Sequence, residues 1–155
     1  MTMYQNINQF EQKAIKGAVD LLIGNNGIIS GVVSASQATA LVSGQKVKLD
    51  TTADVSVPSF IAAADADIPC FYVVYTTKDN FSTGSAIEVC YFGGPVIYLE
   101  SAAAIAAGAV VESAGTGLTV QTFSAGKQCG ICLDPVSASG MLTRIILTTP
   151  SVIHA

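Results

Sequence analysis

The chain predicts an all-β fold, a compact antiparallel barrel or sandwich, on three observations. From residue 28 onward, short runs rich in β-branched and aromatic residues are separated by Gly, Ser and Asp turns. Along one such run Ile87, Val89 and Tyr91 take one face while Ala86, Glu88 and Cys90 take the other, the two-residue period of a strand. The turns recur at the spacing of a small sandwich or barrel, too closely for βαβ units.

In chain order, the strands expected are 27–33, 46–49, 71–76, 86–92, 96–99, 108–112, 118–123, 129–133 and 142–147. The alanine-rich stretch 101–107 has helical propensity, but Gly108 and the pair Val110–Val111 follow too soon, so it reads as a loop or short turn. Gly115-Thr-Gly117 lies between two β-patterned runs and reads as a hairpin turn. Residues 5–22 fit two descriptions. Phe10, Ala14, Ile15, Ala18, Val19 and Leu22 fall on one helical stripe. Gly17 interrupts that stripe and no clear cap precedes it, which suits an extended arm. The resulting division is an N-terminal arm over 1–26, a β domain over 27–149 and a tail over 150–155.

The β domain also resembles itself. Ala40-Leu-Val-Ser-Gly44-Gln-Lys-Val47 is similar to Ala104-Ile-Ala-Ala-Gly108-Ala-Val-Val111. A strand carrying a cysteine follows each, with Cys70 in the first and Cys129 in the second. Each unit then closes through a glycine turn into a last strand, at Gly84 and at Gly140. The matched positions are offset by 64 (44 to 108), 59 (70 to 129) and 56 (84 to 140) residues, so loop insertions would separate units of about 40–94 and 104–149. Chance likeness among Gly- and Ala-rich strands is the competing account.

Composition limits function. The 155 residues are half hydrophobic and 12% charged, against roughly 25% charged in an average soluble protein. Seven basic residues and a net charge of −4 leave no footprint for a phosphate backbone, so direct nucleic-acid binding is not expected. No window of about twenty mostly apolar residues survives the Gly, Ser, Asn and Gln interruptions between residues 21 and 45, so no membrane span or membrane partner is expected. The start, Met-Thr-Met-Tyr-Gln-Asn, lacks the basic and apolar regions of a secretory leader, which points to synthesis in a reducing cytoplasm. A small domain with so little charge has a surface suited to meeting other protein, the alternative being a plain Ser/Thr-rich soluble surface.

Candidates for chemistry are few. Cys129-Gly-Ile-Cys132 has the spacing of metal and redox sites, but the other ligand candidates are Cys70, Cys90 and His154, none of them paired at that spacing. Leu133-Asp134-Pro135 follows without the helix that would activate a thiol, so buried structural cysteines are the better reading. Asp65 and Asp67 lack the further oxygens of a calcium loop and are expected to face solvent together. Asp134-Pro135 reads as a turn initiator. His154, the one imidazole, is next to last in the sequence, a poor position for a general base. No catalytic residues and no cofactor are assigned, and a non-enzymatic role is expected.

Several segments resemble the structural cement, or capsid decoration, proteins of tailed bacteriophages. They are Tyr4-Gln-Asn-Ile-Asn-Gln-Phe10, Ala14-Ile-Lys-Gly17-Ala-Val-Asp20, Val96-Ile-Tyr-Leu-Glu100, the 104–111 turn, Gly130-Ile-Cys-Leu133, and Ala138-Ser-Gly140 through Ile145-Ile-Leu147. Residues 50–85 have no counterpart in that pattern. The resemblance implies a β domain that assembles as a homotrimer on the capsid exterior, binding the major capsid protein and bracing the head against DNA pressure. It also favours the extended arm, with Gly17 at a bend. Exposed apolar residues on such an arm call for docking, so Tyr4, Ile7 and Phe10 are the expected partner contacts, the alternative being that they pack on the arm's own domain. A second class of function remains beside it: a small oligomeric β-barrel that binds a ligand or metal through Cys129 and Cys132.

Overall fold

The structure, a computed structural model, describes residues 15–24, 27–53, 56–67, 71–91, 93 and 95–151. Among them no residue is helical, and thirteen strands follow one another. These are β1 (Val19–Gly24), β2 (Ile28–Val33), β3 (Leu41–Val42), β4 (Lys46–Leu49), β5 (Ser59–Ala62), β6 (Phe71–Val73) and β7 (Asn80–Phe81). Then come β8 (Ala86–Tyr91), β9 (Pro95–Glu100), β10 (Val110–Ala114), β11 (Thr119–Thr122), β12 (Gln128–Cys132) and β13 (Leu142–Ser151). All nine expected runs are strands, within a few residues at their ends. The chain adds β1, β3, β5 and β7, of which β3 and β7 are two residues long and hold a single period of the strand alternation. Residues 101–107 form a loop, and Gly115-Thr-Gly117 forms the turn between β10 and β11.

Strands β2, β5, β4, β6 and β8 close into a barrel. The expected antiparallel pattern has one exception there, because β2 and β5 run parallel, with Val33 opposite Phe60. A parallel pair needs a long crossover, and residues 34–58, which include β3 and β4, supply it. Inside this barrel pack Val33, Leu41, Val47, Phe60, Val73, Phe81, Ile87 and Val89. Phe60 meets Phe71 edge to face at 5.4 Å between ring centres, and Phe60 is fully buried; burying such a ring contributes roughly 1.5–3 kcal/mol.

The remaining strands form a sheet in the order β1-β9-β13-β12-β10-β11. Its pairing scheme repeats that of the barrel. β2 pairs with β8 as β9 pairs with β13, β4 with β5 as β10 with β11, β4 with β6 as β10 with β12, and β6 with β8 as β12 with β13. The small β3·β7 pair, with Leu41 opposite Phe81, is matched by a bridge between Ile105 and Val136. Even the parallel contact recurs, since Ser101 bridges Val120 and so nearly closes a second barrel.

Single hydrogen bonds repeat as well. Gly44 N–H donates to the Val73 carbonyl at 2.8 Å and Gly108 N–H to that of Cys132 at 2.7 Å. Gly84 N–H donates to Val33 at 2.9 Å and Gly140 N–H to Ser101 at 2.8 Å. All four glycines hold φ between 75° and 80°, the left-handed conformation that spares a Cβ-free residue strain. The offsets in these bonds are 68 (33 to 101), 64 (44 to 108), 59 (73 to 132) and 56 (84 to 140), the last three equal to those between the matched sequence positions. The first unit is the longer through its 34–40, 50–58 and 74–83 connections. Residues 50–85, the stretch without a family counterpart, contribute β5 and β6 to the barrel and β7 to the small β3·β7 pair.

The N-terminal stretch resolves between its two descriptions from Val19 onward. Residues 19–24 are extended and pair with β9 as an edge strand, so the helical stripe is not realised there. Gly17 is at a bend, with φ +80°.

Candidate functional site

The side chains singled out from the sequence fall into three groups. Tyr4, Ile7 and Phe10, together with Cys70 and His154, lie outside the described residues. Cys129 and Cys132 lie on β12 and are buried in the core between and within the barrels, beside Val111, Ile145 and Leu147. The Cys132 thiol donates to the Asp134 carbonyl at 3.0 Å and sits 3.2 Å from Thr143 Oγ1. Among the described residues, no three His, Cys, Asp or Glu side chains are grouped so as to hold a metal ion. The pair is thus placed where packing residues sit.

Asp65 and Asp67 depart from expectation. They do not face solvent together; each is half-buried on a turn and fastens a different element. Asp65 accepts from Ser113 Oγ at 2.9 Å, Gly117 N–H at 2.7 Å and Thr116 N–H at 3.2 Å, all in the second unit. That network holds Thr116 at φ 59°, unusual for a residue with a Cβ. Asp67 accepts from Lys48 Nζ at 2.9 Å and Ala64 N–H at 2.8 Å, and the lysine bond, then the backbone one, hold its carboxyl below the usual range. An alternating pair reads as solvent-facing only if the segment is extended, and here residues 65–66 are a turn.

The other described carboxylates are largely committed in the same way. Ser34, Ser36 and Thr52 hydroxyls and the Thr52 N–H converge on Asp50 and hold it far below the ordinary carboxylate range. This ties the 34–37 loop to the 50–53 loop. Burial pushes the Glu112 carboxyl up, but bonds from Gln121, Gly126 N–H and Ser124 outweigh that and leave it lowered. Arg144 clasps Asp134 through Nε at 2.6 Å and Nη2 at 2.8 Å, and this keeps Asp134 ionised to lower pH. These carboxylates are fasteners between loops and strands.

Among the described residues, a groove of about 560 Å³ lies open where the N-terminal stretch crosses the first barrel. Ile15, Ala18, Val19, Ile28 and Val74 form its apolar walls and Glu88 its acidic edge. Gly17 shapes it. Its N–H donates to the Tyr98 carbonyl at 2.7 Å and its carbonyl accepts from Tyr75 N–H at 2.9 Å, so one residue bridges both units. A Cβ at Gly17 would lie 2.5 Å from the Gly44 nitrogen, closer than real contacts allow. The apolar residues of this segment were visible in the sequence as the stripe Ile15, Ala18 and Val19. Their role as a groove wall was not, because Ile28, Val74 and Glu88 come from other strands.

Comparison with known proteins adds a structural likeness. No protein-family model matches the chain, and no curated protein matches it. Among solved structures, the base of the head fiber gp8.5 (the "N base") from bacteriophage phi29 is similar at a TM-score of 0.55. The likeness covers 82% of this chain and 99% of that one, at 13% sequence identity. At that identity it is the fold that the two chains share.

Proposed function

We propose that this chain is a structural protein of a bacteriophage virion, bound on the outside of an icosahedral head as a cement or decoration protein. It bridges neighbouring major capsid subunits as a homotrimer and braces the head against the pressure of packaged DNA. It is made in the host cytoplasm and acts by contact rather than catalysis. The observation that carries this reading is the fold: nearly the whole of a phage head-fiber base has the same architecture as this chain. Two features support it. Asp50, Asp65, Asp67, Glu112 and Asp134 are spent on fastening loops, as in a rigid building block. Charged residues make up 12% of the chain, little for a surface that meets only water.

The arm residues Tyr4, Ile7 and Phe10 are the contacts proposed for the shell. The deciding measurement is the molar ratio of this chain to the major capsid protein in gradient-purified particles of the source virus. A simple fraction, up to one to one, is expected. Particles that lack the chain overturn the reading.

A further inference from the structure

We propose that the groove beside the N-terminal stretch holds the chain's own residues 10–14 before assembly, with Phe10 against its apolar walls and Lys13 on Glu88. Docking on the shell then draws the arm out. The proposal deepens the virion reading above, and its second step rests on that reading.

The groove lacks two things. Its walls, Ile15, Ala18, Val19, Ile28 and Val74, are apolar and stand open. Glu88 at its margin is half-buried, and its carboxylate has no ion-pair or hydrogen-bond partner among the described residues. Asp50, Asp65, Asp67, Glu112 and Asp134 are all held by donors. A half-buried carboxylate left without a donor is a place for a cation.

The chain has seven Lys and Arg residues, and six of them are described. Lys16 pairs with Glu100, Lys48 with Asp67 and Arg144 with Asp134. Lys46 is buried on the Asp65 carbonyl, and Lys78 lies over the Phe81 ring. Lys127 directly precedes β12 in the second unit and does not line the groove. The seventh is Lys13.

Lys13 is two residues before Ile15, and Ile15 is itself a wall of the groove. Two residues of chain span at most about 7 Å, and the four-carbon stem of lysine adds to that reach. Phe10, five residues before Ile15, stays within about 18 Å of it. The segment thus brings one aromatic ring and one cation to a groove that lacks both. Being tethered at the groove wall, it meets the site at a high effective concentration, which a second copy's arm does not. One ring and one partly exposed ion pair also hold it weakly, which suits a contact that the shell must release.

The test reads chymotrypsin cleavage after Phe10 in the full chain, against a peptide of residues 1–16 that has no groove. The parent should be cut roughly threefold or more slowly than the peptide, at a rate independent of protein concentration. Glu88→Lys sets two cations against each other and should be cut about as fast as the peptide. Lys13→Glu combined with Glu88→Lys should be slow again, each form being compared with the peptide that carries the same residue 13. Glu88→Gln, close in shape to the parent, should also be cut faster than the parent. With source-virus shells stripped of the chain, Glu88→Lys should co-sediment with roughly threefold higher affinity, because its arm is free to dock. Parent cleavage at the peptide rate, or equal protection in the parent and both single Glu88 variants, overturns the docked arm. Protection that fades on dilution assigns the groove to a second copy's arm and overturns it as well. A protected parent arm with no gain in shell affinity for Glu88→Lys overturns the release step and leaves the virion reading intact. A protected parent that does not bind shells overturns the virion reading and leaves the docked arm standing.

Discussion

Gly17 carries more of the architecture than its size implies. Its φ of +80° turns the chain between two barrels, and its missing Cβ lets the backbone pass against Ser43 and Gly44. Gly17→Ala combines a left-handed backbone with a backbone clash, so a loss of roughly 2–4 kcal/mol is expected. A urea titration would read it, and a change below half a kcal/mol would deny Gly17 this role. The carboxylates set a second expectation. Asp50, Asp67, Glu112 and Asp134 all have folded-state pKa values below their ordinary ones. As pH falls, the unfolded chain therefore takes up protons first, and folding loses free energy. Stability should be level above about pH 5 and decline as pH drops through the ordinary carboxylate range toward the folded values. Urea midpoints from pH 7 to pH 3 check this, and a flat profile would mean that these bonds contribute nothing net.

At the scale of elements, the two units make each other's roles legible. Cys132 takes the place in the second barrel that Val73 takes in the first, each accepting the turn glycine's N–H through its carbonyl. If Cys132 is a packing residue, Cys132→Val should change stability by no more than about 1 kcal/mol, the lost thiol bond to Asp134 being offset by apolar fit. Protein purified under reducing conditions should also contain no stoichiometric zinc, before or after the substitution. Stoichiometric metal in the parent would return Cys129 and Cys132 to a binding role. The longer strands were readable because β-branched residues alternate in them, as in β8, and because glycines at 44, 84, 108 and 140 mark their starts. β3 and β7 were not, since two residues hold a single period of the alternation, and β5 was missed as well. Asp65 was misjudged for a related reason. Its partners Ser113, Thr116 and Gly117 are some fifty positions away, beyond the reach of local spacing.

Across the molecule, an apolar core in which Tyr72, Val74 and Cys90 pack with residues of the second unit joins the two, and two backbone joints reinforce it among the described residues. One is the Ile15–Ala18 crossing. The other is the contact of Lys46 N–H with the Gly117 carbonyl at 2.8 Å, beside the Asp65 network. A deletion of residues 1–14 stops short of both joints. The truncated chain should keep its denaturation midpoint within about 1 kcal/mol of the parent and yet fail to bind shells if Tyr4, Ile7 and Phe10 are the shell contacts. Shell binding at parental strength would relocate those contacts to the barrels. The sequence by itself determined the β class and the glycine-marked turns, because these rest on periods of two residues and on backbone angles that one residue type supplies. Only the tertiary structure decided that the first unit is a barrel closed by a parallel pair, that the second is an open sheet whose ends meet in one parallel bridge, and that Asp65 and Gly17 join them. Those outcomes depend on which distant backbone groups meet, and no local pattern of side chains encodes that meeting.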